Sequence, residues 1–253
     1  MSAGSAHPDE AYKAAQELVR SGKYVEAIVQ YSSAIDANPC HMKARVGRGL
    51  ALQRLCEHEK AVADFDEVIS AYPDWPGAFV AFYGRATSRK ALGKCEDAIA
   101  DCNEVIRRNA EFVDALYARG TIRKSLGQVD EAINDMDAVL SVDPNYWEAH
   151  LERGKLHSFR GNWQQAVMDF SNAMQHDSLG TPYVRECFYL RGLAYQNAGV
   201  HRAAIADFTH VIELAPTDRG AFLRRARSYH EVGETALAEA DIQTGIRLSG
   251  GVI

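Results

Sequence analysis

Seven alanines recur along this chain at nearly even intervals, and that spacing limits the fold more than any other feature. Ala27, Ala61, Ala98, Ala132, Ala166, Ala204 and Ala238 are separated by 34, 37, 34, 34, 38 and 34 residues. Four residues after each comes a larger apolar or aromatic side chain: Tyr31, Phe65, Cys102, Met136, Phe170, Phe208 and Ile242. Five residues before stands a glycine (Gly22, Gly93, Gly127, Gly161, Gly199, Gly233), with Cys56 in the second copy. Twelve residues after, four copies carry Pro39, Pro73, Pro144 or Pro216. An i, i+4 step lies on one face of a helix. Glycine supplies the positive φ of a tight turn, and proline stops the helix that precedes it. The pattern predicts helix, tight turn, helix and stop, seven times over. Units of this kind stack neighbour on neighbour instead of closing around one centre.

A second small position supports this register. Ala15, Gly49, Ala86, Gly120, Gly154, Gly192 and Ala226 lie twelve residues before the aligned alanines. Small residues facing each other predict close approach of the two helices in a unit. Phe65, Phe170 and Phe208 then fill the space between units.

These positions together resemble the tetratricopeptide repeat, over residues 8 to about 249. Seven units fit: 8–41, 42–75, 79–112, 113–146, 147–180, 185–218 and 219–250. Pro76-Gly77-Ala78 and Thr181 to Val184 are insertions expected to lengthen two connections. Ala110, Ser178 and Gly250 depart from the family's proline, and the first-helix tryptophan is missing. The resemblance implies an all-α, right-handed superhelical solenoid of seven helix-turn-helix repeats. In that family first helices line the concave side and second helices the convex side. The expected organisation is a disordered tail over 1–7, one array over 8–250 and a short tail over 251–253.

Six units carry an arginine and an aspartate sixteen residues apart: Arg48/Asp64, Arg85/Asp101, Arg119/Asp135, Arg153/Asp169, Arg191/Asp207 and Arg225/Asp241. The arginine lies eight residues before the turn position and the aspartate eight after it, so an antiparallel hairpin brings them level. The first unit lacks both, having Ala14 and Gln30. Joint absence favours a pair within each unit over one between units. These pairs are expected to brace the scaffold and not to bind a ligand, since every arginine has an acid to neutralise it.

At the last unit, Glu239 replaces the Ile28, Val62, Ile99, Ile133, Val167 or Ile205 of the others. A charge where the next unit would pack reads as a solvent-facing cap. Ile246, Leu248, Val252 and Ile253 remain apolar there and are expected to fold back, or to offer a small docking or self-association surface.

Chemistry-bearing motifs are absent from the sequence. The 253 residues contain no Gly-rich phosphate loop and no His-Glu-x-x-His pair. Five cysteines, none in a Cys-x-x-Cys pair, read as free thiols of a reducing compartment. Cys102 takes a packed slot, and His157 and Trp163 are expected to pack. A net charge of −6 gives no general pull toward nucleic acid. No apolar stretch is long enough for membrane insertion. The expectation is a non-enzymatic cytoplasmic protein with no cofactor or metal; the nucleus and a cytoskeletal assembly are the alternative locations.

Function in such an array is expected on the exposed first-helix residues. One lane carries Tyr12, Val46, Tyr83, Tyr117, Leu151, Tyr189 and Leu223, beside the small residues Gly47, Gly84 and Ala118. Arg54, Lys90 and Lys124 add positive charge, as do Lys155, Arg224 and Arg227 further on; Gln53, Gln196 and Asn197 add amides. Aromatic area, room for a backbone and cations suit a peptide groove, with Tyr83, Gly84, Lys90, Tyr117, Thr121, Lys124, Lys155, Tyr189 and Arg227 as its lining. Co-chaperones of the family grip acidic chaperone tails with a Lys/Asn carboxylate clamp. Here those lanes hold Tyr12, Gln16, Gly47, Val80 and Gly84, or Val46, Leu50, Gly84, Asp114 and Ala118, so a heat-shock chaperone tail is not expected as partner. The reading is a protein-interaction scaffold with an unidentified protein or peptide partner. The alternative is a structural subunit of a large assembly that uses its convex face and ends.

Overall fold

The structure is a computed structural model that describes residues 7–175 and 181–250. Those residues form fourteen helices and no strand: α1 (Pro8–Arg20), α2 (Tyr24–Ala37), α3 (Met42–Arg54), α4 (His58–Ala71), α5 (Ala78–Ala91), α6 (Cys95–Arg108), α7 (Val113–Ser125), α8 (Val129–Val142), α9 (Trp147–Phe159), α10 (Trp163–Ala173), α11 (Thr181–Asn197), α12 (His201–Leu214), α13 (Arg219–Glu231) and α14 (Thr235–Leu248). The chain divides into two compact units, Met1–Gly127 with α1–α7 and Gln128–Ile253 with α8–α14. In each unit, helices adjacent in sequence pack against each other. Of the tails expected over 1–7 and 251–253, residues 1–6 and 251–253 lie outside the described residues, and His7 stands at the N-cap of α1.

The turn chemistry accounts for the helix ends. Gly22, Gly93, Gly127, Gly161, Gly199 and Gly233 have φ between 72° and 81°, and Cys56 takes the same turn at 59°. In this left-handed conformation the chain reverses while closing the last helical turn. Lys23 N–H donates to Leu18 C=O at 2.9 Å, and Glu57 N–H donates to Leu52 C=O at 3.0 Å. A side chain at such a φ costs roughly 1–2 kcal/mol, so Cys56 is a strained copy of a glycine turn. At the other boundary, Asn109 Oδ1 accepts the Glu111 N–H at 3.1 Å, as Asn38 Oδ1 accepts that of Cys40. This Asx turn explains how the third repeat turns without a proline at Ala110.

The large second-helix residue is the centre of each packing layer. Tyr31, Phe65, Cys102, Met136, Phe170 and Phe208 are at most 4% exposed. The rings fit because glycines leave room for them. A Cβ on Gly49 would lie 2.8 Å from the Phe65 ring, and one on Gly84, in the next repeat, 2.5 Å from it. Gly154 and Gly192 meet Phe170 and Phe208 in the same way. The small first-helix position makes space for the ring of its own repeat at Gly49, Gly154 and Gly192.

The sequence expectation needs correction at one further point. Thr181 to Val184 does not lengthen a connection. It forms the first turn of α11, which runs for 17 residues.

Candidate functional site

The arginines make two kinds of contact. Arg48 Nε and Nη2 donate to Asp64 at 2.8 and 2.6 Å. Arg85, Arg153, Arg191 and Arg225 bind Asp101, Asp169, Asp207 and Asp241 by the same two-pronged geometry. The third donor, Nη1, reaches back to the preceding repeat: Arg48 to Ser32, Arg85 to Asp66, Arg119 to Asn103, Arg153 to Asp137, Arg191 to Ser171 and Arg225 to Thr209, at 2.6–3.1 Å. Asp64, Asp101, Asp169, Asp207 and Asp241 thus pair within their own repeat, as the joint absence in the first unit favoured, and the bond between repeats goes to other acceptors that the sequence reading did not single out. Arg119 and Asp135 fall in different units. Asp64, Asp101, Asp135, Asp169, Asp207 and Asp241 are all buried.

Asp169 has an additional partner that the sequence reading missed. His150 Nδ1 lies 3.1 Å from Asp169 Oδ1, and its Nε2 lies 3.1 Å from the Pro144 carbonyl oxygen. Burial alone would push the Asp169 carboxyl up, but hydrogen bonds from His150 and Arg153 outweigh it and hold the group below the usual carboxylate range. His150 occupies a first-helix position where other repeats have Phe82, Leu116, Phe188 or Phe222. Only its place in that lane could have signalled it. His157 Nε2 is 4.0 Å from Asp169 Oδ2, and Trp163 packs in the core of the second unit.

In the first unit a cleft of about 520 Å³ opens along the first helices. Val19, Leu50, Gln53, Arg54, Tyr83 and Thr87 line it, with the rings of Tyr24 and Tyr31 and His58 beneath. Tyr83 is held edge-on by Phe112, with ring centres 5.3 Å apart. Leu50 is an exposed apolar side chain. Arg54 is exposed and has no hydrogen-bond or ion-pair partner among the described residues. An apolar floor with phenol rings and one unpaired guanidinium suits an extended peptide with a carboxylate.

The remaining predicted lining is distributed unevenly. Gly84 borders this cleft, yet it gives no space to an incoming backbone, because Phe65 already fills the room above it; Gly47 is closed by Tyr31 likewise. Val46 and Leu151, of the tyrosine lane, are buried. Gln53 Nε2 is 2.7–2.8 Å from the Gly84 carbonyl, Thr87 Oγ1 and Ser88 Oγ, and Gln196 Nε2 contacts the Arg224 carbonyl and Ser228 Oγ. Through Nε2 these amides clip consecutive first helices together. Lys90 Nζ donates to Thr121 Oγ1 at 2.8 Å. Tyr117 is half-buried and Lys124 exposed, both on α7.

In the second unit, Lys155 sits between Glu152 (3.0 Å) and Glu186 (2.8 Å), so it does not continue the basic character. Tyr189 packs edge-on against Phe208 and borders a hollow with Pro182, Tyr183, Arg185, Glu186 and Asp218. Arg227 is exposed on α13. No group of His, Cys, Asp and Glu among the described residues could hold a metal ion. No helix among them is long and apolar enough to cross a membrane.

A chain of helical hairpins joined by glycine turns, with one bulky residue per hairpin locked between neighbours, defines an α-helical repeat protein. Tetratricopeptide-repeat family models match residues 12–76, 113–146 and 186–218, and the chain is a tetratricopeptide repeat protein. Solved structures of the same fold agree. A tetratricopeptide repeat protein from Parabacteroides merdae is 21% identical, with 95% of this chain and 93% of that one covered and a TM-score of 0.65. YrrB, described as a TPR protein with an unusual peptide-binding site, is also 21% identical, covering 76% of this chain and 95% of that one at a TM-score of 0.65. The APC/C Cut9–Hcn1 hetero-tetramer matches at 18% identity and a TM-score of 0.59, over 94% of this chain and 46% of that one. No curated protein matches the sequence.

Proposed function

We propose that this protein is a non-enzymatic interaction scaffold that binds an extended, carboxylate-bearing peptide of a partner protein in the first-unit cleft. The observation that carries this reading is Arg54. It is a cation without a partner, at the rim of an apolar cleft with Leu50, Tyr31 and Tyr83, in a protein whose internal arginines are paired with acids. Tyrosine rings supply contact area at low entropic cost, and the guanidinium selects the anion. Lys90, Tyr117, Thr121 and Lys124, on neighbouring first helices, extend the same surface. The peptide-binding site named for YrrB, a protein of the same fold, is consistent with this use. A cytoplasmic location fits it as well.

Affinity capture with wild type and with Leu50→Asp/Arg54→Glu tests the proposal. Both residues are exposed, so the helical circular dichroism should be unchanged while the main partner is lost. A full complement of partners on the double variant would refute it. A second reading, a structural subunit of a larger assembly, rests on a different observation. Val25 and Val29 on α2 are 61% and 58% exposed, beside a second cleft lined by Leu52, Leu55 and Lys60. Capture that depends on Val25 and Val29 and not on Arg54 would favour it.

A further inference from the structure

The second helices of the first unit carry a ridge and a groove side by side. Val25 and Val29, one turn apart on α2, are 61% and 58% exposed and form the ridge. No other repeat has two large apolar side chains at these positions. The counterparts of Val25 are Glu59, Glu96, Asp130, Gln164, Arg202 and Ala236, and among those of Val29 only Met168 is large and apolar. Beside the ridge, between α2 and α4, lies a groove of about 470 Å³ with Leu52, Leu55 and Ala63 in its lining. Arg48 and Asp64 also border it, but they are bonded to each other. Lys60 stands on its α4 side, exposed, and reaches Glu57. Ile28 and Ser32 flank the ridge on the groove side. Glu26, exposed, therefore flanks it on the side away from the groove.

We infer that this face joins two copies of the chain, with the Val25–Val29 ridge of each lying in the α2–α4 groove of the other. A face that holds a ridge next to a groove is complementary to itself under a two-fold rotation. With the axis parallel to α2, the ridge of one copy passes over the groove of the other, and the reciprocal contact follows by symmetry. The same rotation exchanges the flanks of the ridge, so Glu26 of one copy turns toward α4 of the other, where Lys60 stands. Glu26 and Lys60 hold equivalent places in successive repeats, each one residue before the aligned alanine, and so meet at the same height with opposite charge. The two-fold contact thus satisfies the apolar ridge, the apolar groove and both rim charges at once. It gives the exposed valines an occupant without a larger assembly. No residue of this groove lines the first-unit cleft, so the pairing does not depend on peptide binding there.

Sedimentation equilibrium of the full chain, over a micromolar-to-millimolar concentration series, tests the pairing. A reversible monomer–dimer equilibrium is expected. Val25→Glu/Val29→Gln should raise its dissociation constant by about tenfold or more, with the helical circular dichroism unchanged because both side chains are exposed. Glu26→Lys and Lys60→Glu should each weaken the dimer, and the two reversals together should restore it, since the charges then match again across the two-fold. These changes touch only exposed side chains, so the test survives if the valine variant perturbs folding. The inference is overturned by a protein that stays monomeric throughout, by a dimer that the valine changes do not move, or by a double reversal no tighter than either single one. A monomer that captures a different protein through Val25 and Val29 would also overturn it, in favour of a foreign partner.

Discussion

Removing Asp207 should destabilise the protein far more than its single hydrogen-bonded pair suggests, and removing Arg191 with it should recover much of the loss. Asp207 is 3% exposed and accepts from Arg191 Nε at 2.9 Å and Nη2 at 2.7 Å. Asp207→Ala leaves a guanidinium whose side chain is only 20% exposed without its counter-charge. Stranding one member of a buried pair costs about 3–5 kcal/mol. Here the lower end applies, near 3 kcal/mol, because Arg191 Nη1 keeps its bond to Ser171 Oγ and the group is not fully dry. Asp207→Ala/Arg191→Met removes the stranded charge. It also keeps an unbranched chain between Phe188 and Tyr195, whose rings lie 5.5 and 5.9 Å from the guanidinium carbon. Arg191→Met strands the buried Asp207 at a similar cost, about 3 kcal/mol, and the double variant should lose about 1–2 kcal/mol, so the cycle returns a coupling energy on the order of 4 kcal/mol. Urea unfolding of the four proteins, followed by far-ultraviolet circular dichroism, measures this directly. A double variant as unstable as Asp207→Ala, or single losses that simply add, would refute the reasoning.

Other changes test separate parts of the account. Cys56→Gly should stabilise by about 0.5–1 kcal/mol, because it relieves the positive-φ strain at some cost in unfolded-chain entropy; a lower urea midpoint would contradict the turn argument. Gly84→Ala should destabilise by about 1–3 kcal/mol, since the added Cβ meets the Phe65 ring, and a neutral result would show that the ring can move aside. Two carboxyls have depressed pKa values in the folded state, Glu104 at about 2 through hydrogen bonding to Arg107, and Asp169 as described. Their stabilisation is complete above the ordinary carboxylate pKa and is lost as pH falls through the folded values. Stability should therefore drop below about pH 4, and less steeply in Asp169→Asn. Burial and the nearby Glu186 push the Cys187 thiol up to about 11, and Cys102 is fully buried, so a thiol reagent at neutral pH should label exposed Cys40 and Cys56 in the native protein and spare these two.

The fold was legible because each repeat states the same constraint. One alanine, one turn glycine and one bulky residue at fixed separations leave little besides a stacked hairpin. The candidate site was less legible, for reasons visible in single residues. Gly84 read as open because sequence spacing does not show that Phe65, nineteen residues earlier, fills the space above it. Gln53 and Gln196 read as ligand amides because their acceptors lie on another helix, about one repeat away. Lys155 read as basic because Glu186 is thirty-one residues distant in the chain. The bridging half of the arginine contact was missed for a related reason. Its acceptor varies among Ser, Asp, Asn and Thr, so no single residue type recurs to mark it.

Site-specific photo-crosslinking tests the central claim most directly. A benzoylphenylalanine at position 50 would sit in the first-unit cleft, and one at position 29 on the exposed outer side of α2. Irradiation in the native cell should give a discrete protein adduct from position 50, which Arg54→Glu in the same chain abolishes. Adducts from position 29 alone, with none from position 50, would contradict a cleft-binding scaffold.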